Sequence, residues 1–192
     1  MDLRSQTLLE DLGAYPPADE RERASVERMK RFVASAASPF DRSNPEGHVT
    51  GSAVVARADG SAFLLVRHRK LDRWLQPGGH CDPADGGVLG TALREATEET
   101  GVGDLVPALE GRPFDVDVHP IPARGSEPAH LHYDVRYLVT CSEPAGEPAA
   151  DEVSESGWFG LDEALSMGID ESLARSLKKA KAILVKVSEG DG

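Results

Sequence analysis

The sequence predicts an α+β fold: a mixed β-sheet held between helices, with a helical extension at the N-terminus. Three observations carry this. Helical periodicity fills residues 1–38, strand-like patterns begin near Gly47, and one helical stretch interrupts the strands before further helices close the chain. The 192 residues suit one domain with an appendage, enough chain to bury a sizeable core.

Leu8, Leu9 and Leu12 fall at helical spacing until Pro16-Pro17 breaks the run. Asp19 is placed to cap a second helix reaching about Ala36, whose Val26, Met29, Phe32 and Val33 share one face. That face predicts docking on the main domain; a dimer contact or a substrate lid are the alternatives. Pro39 to Pro45 reads as loop. Strand character follows at Val49 and Ser52–Ala56, then at Phe63–Val66, with Asp59-Gly60 as the turn between them. Trp74–Gln76 makes a short strand leading into Pro77-Gly78-Gly79. Leu89–Thr100 is a helix ended by Gly101. Phe114–His119 and His130–Val139 alternate as strands. Trp158-Phe159 is a short strand and Leu161–Leu165 starts a helix. A last amphipathic helix spans Glu171 to about Val187, leaving Ser188–Gly192 as a frayed tail.

Charge narrows the function classes. With 21 Lys+Arg against 33 Asp+Glu, the net charge is −12. Binding a nucleic-acid polymer needs clustered cations on phosphates, so that class is excluded. A small phosphorylated substrate is not, because divalent metal reverses the local sign. No apolar run is long enough to predict a transmembrane helix, and the first residues do not read as a secretory signal. Cys81 and Cys141 lack metal-type spacing and are expected as free thiols in a reducing cytoplasm.

The chemistry concentrates between Gly78 and Val102. Glu95, Glu98 and Glu99 stand at i, i+3 and i+4, so they share one helix face. Like charges so placed repel by a few tenths of a kcal/mol. Arg94 offsets this in part, one turn before Glu98; divalent metal offsets it more strongly, since Mg²⁺ and Mn²⁺ prefer carboxylate oxygen and bridge phosphates. The run from Gly79 to Val102 resembles the Nudix box, G-x5-E-x7-R-E-U-x-E-E-x-G-U with U aliphatic. Arg94-Glu95-Ala96-Thr97-Glu98-Glu99-Thr100-Gly101-Val102 fits its second half, with Ala96 as a small U. In the first half Asp85 stands where Glu is usual, and one extra residue precedes Arg94, beside Gly86-Gly87 where flexible backbone can absorb it. Asp82 is a possible substitute for the usual Glu.

This resemblance implies an α/β/α sandwich of Nudix type over residues 41–187, preceded by the extension at 1–40 and followed by the tail at 188–192. It implies hydrolysis of a nucleoside diphosphate linked to another group, by attack of water on a phosphorus of the diphosphate bridge. Mg²⁺ or Mn²⁺ is the expected cofactor, at Glu95, Glu98, Glu99, Gly79 and Asp85. Arg94, Glu95, Glu98 and Glu155 are the expected catalytic residues, the general base being either a box glutamate or a residue of a later loop, Glu152 or Glu155, just before Trp158. The partner is a small phosphorylated substrate, a nucleotide by family; a homodimer is an option. The competing readings are a catalytically weak nucleotide-binding sensor and an isomerase-like relative acting on isoprenoid diphosphates.

Six histidines add a substrate question. His48, His68, His80, His130 and His132 lie near predicted strands or the box loop. His130, His132 and Asp134 alternate, so they project from one sheet face and can line a cleft, with Arg136 continuing it, or form a His/carboxylate metal site. Arg67, His68, Arg69 and Lys70 make the densest positive spot, where Arg67 and His68 can meet phosphate. His48, Arg67, His68, His80, His130 and His132 are therefore the substrate-binding candidates.

Overall fold

The structure is a computed structural model and describes residues 1–125, 128–142, 146–147, 151 and 153–190. In chain order the elements are α1 (Leu3–Ala14), α2 (Glu20–Ser35), β1 (Gly47–Ala56), β2 (Phe63–His68), β3 (Arg73–Leu75), β4 (Gly78–His80), α3 (Val88–Thr100), β5 (Val106–Pro107), β6 (Pro113–Ile121), β7 (His130–Thr140), β8 (Val153–Phe159), α4 (Leu161–Ser166) and α5 (Glu171–Gly190). Strands β1 and β7 run parallel down the middle of the sheet, and β1 also pairs antiparallel with β2 and β4. The outer strands β6 and β8 pair antiparallel with β7 and β2. The sheet is mixed, as predicted, and helices cover both faces.

Every residue of β1 is buried, which suits a strand with helices on each side. Its odd-numbered side chains, such as Val49 and Val55, join a core with Val135 of β7, Ala92 and Ala96 of α3, and Met29 and Phe32 of α2. Val54 and Ala56 face the other way, onto Leu173, Leu177 and Leu184 of α5. This alternation gives the two faces of the sheet different cores.

The N-terminal helices are part of the first core. Phe32 stacks on Tyr133 at 4.0 Å and 5°. Asp19 caps α2 as expected, accepting from the Glu22 amide at 2.7 Å. Glu22 itself is fully buried: Tyr15 Oη donates to it, as do the Ala18 and Val116 amides, and Lys179 Nζ of α5 reaches it at 2.9 Å. Burial opposes the Glu22 charge, but these donors outweigh it and hold the carboxyl below its ordinary value.

Several elements differ from the sequence expectation, which does not include the two-residue β5. Gly78–His80 forms β4, because the Gly-Gly backbone fits flat against β1 where a side chain would not: a Cβ at Gly78 would lie 2.7 Å from Ser52 Cα. Strand β8 begins at Val153, well before Trp158, because its pairing with β2 supplies the order that its polar Ser-Glu-Ser run does not advertise. Helix α5 runs on to Gly190, since no breaker intervenes after Val187. Among the described residues no helix is long and apolar enough to cross a membrane.

Candidate active site

The loop before α3 turns on two glycines. Asp82 caps a short 3-10 turn, Pro83–Asp85, and Asp85 returns a bond to the Asp82 amide at 2.9 Å. Gly86 then takes φ +73 and Gly87 φ +157, conformations a side chain would strain. This turn lies where the sequence places the extra residue of the box. Asp82 is engaged as a cap, not aligned with the α3 carboxylates.

Arg94 is the hub of the site. Its Nε and Nη2 meet Asp85 Oδ1 and Oδ2 at 2.7 and 3.1 Å, a two-point pairing. Nη1 reaches Glu95 at 2.8 Å and Glu98 at 3.2 Å, and Nη2 also donates to the His80 carbonyl at 3.0 Å. Thr91 Oγ1 donates to Asp85 Oδ2 at 2.7 Å. Burial works against the Asp85 charge, but Arg94, the Asp82 amide and Thr91 outweigh it and hold the carboxyl down to about 2. With its oxygens turned to these donors, Asp85 holds Arg94; this geometry gives no support to the expected metal ligation by Asp85.

The three glutamates of α3 differ in surroundings. Glu99 is nearly buried and accepts from the Gly78 amide at 2.9 Å, which pins β4 to the helix. Glu95 lies under β4: a Cβ at Gly79 would sit 2.5 Å from its Oε1, so only glycine leaves the carboxylate its place. Burial raises the Glu95 carboxyl, against the pull of Arg94. Glu98 is the most open, its side chain 50% exposed. The donor set is hard carboxylate oxygen beside a glycine cradle, which fits Mg²⁺ or Mn²⁺. An arriving ion competes with Arg94 Nη1 for Glu95 and Glu98.

Arg67 and Glu155 stand together. They face each other across β2 and β8, with Nη1 2.9 Å from Oε1, and Arg67 also meets Asp72. Glu155 was expected in a loop and sits on a strand; Glu152 lies outside the described residues. His68 turns toward its own loop, its Nδ1 accepting from the Lys70 amide at 3.2 Å.

The remaining histidines gather elsewhere. His119, His132 and His48 are cross-strand neighbours on β6, β7 and β1. The His48 ring centroid is 4.7 Å from that of His132, 4.9 Å from His80 and 5.1 Å from His130. Burial and the neighbouring histidines push His48 down to about 4 and His132 down to about 2. Both are therefore neutral near pH 7 and bring no positive charge to a phosphate. Asp134 is not with them: Thr50 and Ser52 donate to its Oδ1, and Arg136 Nε lies 2.9 Å from Oδ2. Arg136 also does not line a cleft. It is buried among Asp134, Asp115 and Ser172, with Arg175 of α5 on the same Asp115. The Arg136–Ser172 and Arg175–Asp115 contacts tie α5 to the sheet, a function the strand pattern alone did not signal.

Comparison with known proteins agrees with this geometry. The family profile described as NUDIX domain matches residues 47–180. No curated protein sequence matches the chain. Among solved structures, a C. elegans Ap4A hydrolase binary complex is similar with TM-score 0.57 and 20% identity, over 72% of this chain and 98% of that one. The NUDIX domain of Shewanella oneidensis NrtR, complexed with ADP ribose, gives TM-score 0.54 and 21% identity, over 80% and 97%. The M. smegmatis Nudix hydrolase RenU gives 0.52 and 17%, over 73% and 88%. At such identities these structures show a shared fold. The profile spans most of the chain and includes the whole Arg94-centred box, so the chain belongs to the Nudix family of hydrolases, which act on phosphoric anhydride bonds.

Proposed function

We propose that the chain is a Mg²⁺-dependent pyrophosphohydrolase that cleaves the diphosphate bridge of a nucleoside diphosphate linked to another group: a nucleotide sugar, ADP-ribose or a nucleoside triphosphate. The carrying observation is the Arg94 hub, whose guanidinium meets both Glu95 and Glu98 while Asp85 clasps it at two points. Mg²⁺ held by Glu95, Glu98 and Glu99 would neutralise phosphate charge and lower the pKa of bound water.

The chain's own residues do the rest. Arg94 is a positioning residue that sets the glutamates. Glu98, the most open of the three, takes the proton from the attacking water. Gly79 keeps the backbone clear of Glu95. Arg67 meets a substrate phosphate, and Glu155 holds Arg67 in place. The two free cysteines support a cytoplasmic setting.

The test is phosphate release from a nucleotide panel with Mg²⁺ or Mn²⁺, comparing wild type with Glu98→Gln. A loss of about 10²-fold or more is expected. Turnover that survives the substitution sinks the assignment of Glu98. Tight binding of one nucleotide without turnover by the wild type favours the sensor instead.

A further inference from the structure

Five of the chain's six histidines come together from four different strands: His48 on β1, His80 on β4, His119 on β6, and His130 and His132 on β7. They are not a sequence tract; the sheet register assembles them. We propose that His48, His130 and His132 form a second metal site, for a borderline transition ion of the Zn²⁺ class, separate from the carboxylates of α3.

The first argument is convergence. One ring nitrogen from each of the three residues lies within 4.8 Å of the others, the one such group of three ligating side chains among the described residues. Zn–N bonds of about 2.0–2.1 Å in a tetrahedron set ligand nitrogens roughly 3.3 Å apart. Small side-chain rotations close that gap, because the strands already hold the rings on one face.

The second argument is an unmet need. His48 is fully buried, and neither Nδ1 nor Nε2 has a hydrogen-bond partner. A buried polar atom without a partner is rare and destabilising. A metal ion placed among the rings gives one of those nitrogens its partner.

The third is orientation from outside. His130 Nδ1 lies 2.9 Å from the Pro128 carbonyl, which can only accept. The proton therefore sits on Nδ1, and Nε2 keeps its lone pair for an ion. His119, on the flank, is aimed the same way by Asp117, 3.1 Å from its Nδ1.

The fourth is selectivity. Imidazole nitrogen suits Zn²⁺, Co²⁺, Ni²⁺ and Cu²⁺, whereas Mg²⁺ wants oxygen. The two sets of ligands also face apart. Gly79 turns its missing Cβ to Glu95, so the next residue on β4, His80, points to the opposite side, toward His48. Three histidines leave a fourth position open for water or a ligand oxygen. None of this depends on the hydrolase reading.

The test uses the untagged full chain, stripped with chelator, incubated with Zn²⁺ and excess Mg²⁺, and desalted. Retained zinc is measured by mass spectrometry. About one equivalent is expected in wild type and in Glu98→Gln, and loss in His132→Asn and His130→Gln. Co²⁺ in place of Zn²⁺ should give the visible absorption of a four-coordinate ion, absent in both histidine variants. If His132→Asn unfolds by circular dichroism, His130→Gln decides, since His130 is only half-buried at the start of its strand. No zinc retained by wild type, displacement by Mg²⁺, or equal retention in the histidine variants overturns the proposal. Failed turnover with normal zinc retention would count against the hydrolase reading alone.

Discussion

Arg94 and Asp85 meet fork to fork, at 2.7 and 3.1 Å, with Asp85 almost wholly out of solvent. The pair shows what an aspartate reaches at the position where the family box has a longer residue. The 3-10 turn at Pro83–Asp85 carries the carboxylate up to the guanidinium, and the Gly86-Gly87 kink leads on into α3. Asp85→Asn removes the charge of this clamp and leaves Arg94 with one less anchor. Turnover should fall by about 10-fold or more, through kcat, with nucleotide binding little changed; kinetics against wild type check this.

The same pair sets a pH dependence. The folded Asp85 carboxyl is held at about 2, below its usual 3.8. A depressed folded value means the stabilisation is fully present above the unfolded value and is lost as pH falls through the folded one. Thermal stability should therefore decline between about pH 4 and pH 2 in wild type. Asp85→Asn should be less stable at neutral pH and flatter across that window. Melting curves at several pH values measure both; a parallel decline in the variant contradicts the role given to Asp85.

Gly79→Ala separates site from fold. The added Cβ would meet the Glu95 carboxylate at 2.5 Å, and that carboxylate ends a flexible side chain. It can move aside, so the stability cost should stay within about 1 kcal/mol. The cost to turnover should be far larger, because Glu95 is displaced from Arg94 and from its place under β4. Denaturant titration and activity on the same preparation give the two numbers.

Glu22 and Lys179 make the N-terminal helices inseparable from the rest. Glu22→Ala would leave Lys179 without its carboxylate partner, 2.9 Å away, and would strip the Ala18 and Val116 amides of their acceptor. Breaking such a buried pair costs about 3–5 kcal/mol. Urea unfolding should show a loss of that order. A change under about 1 kcal/mol would mean that the extension is held by Phe32 and Met29 packing alone.

Much of this was legible because short-range signals carried it. The cap at Asp19, the Gly101 stop after α3 and the alternation of β6 and β7 each follow from residues close in sequence. The box glutamates share a face by spacing alone. What stayed hidden depends on strand register. Nothing local shows that His48 would lie beside His132, or that Arg136 would be buried against Asp115 and Asp134 instead of lining a cleft. Strand β8 hid for the same reason: Ser154, Glu155 and Ser156 have no strand pattern, and their order comes from β2.

That register also changes what Glu155 can be asked to do. As a general base it would have to reach an attacking water by itself, and Glu155→Gln would cut kcat whatever stood at position 67. As the residue that holds Arg67, 2.9 Å away, it acts only through that guanidinium. A double-mutant cycle decides between the two. Both side chains are substantially exposed, so each single substitution should shift stability by no more than about 0.5 kcal/mol. Arg67→Ala should raise KM for the nucleotide several-fold with kcat nearly kept. Glu155→Gln should raise KM less, and should add nothing in the Arg67→Ala background. A large further fall in kcat when Glu155→Gln is placed on Arg67→Ala would return Glu155 to the proton-transfer step and remove it from the positioning role.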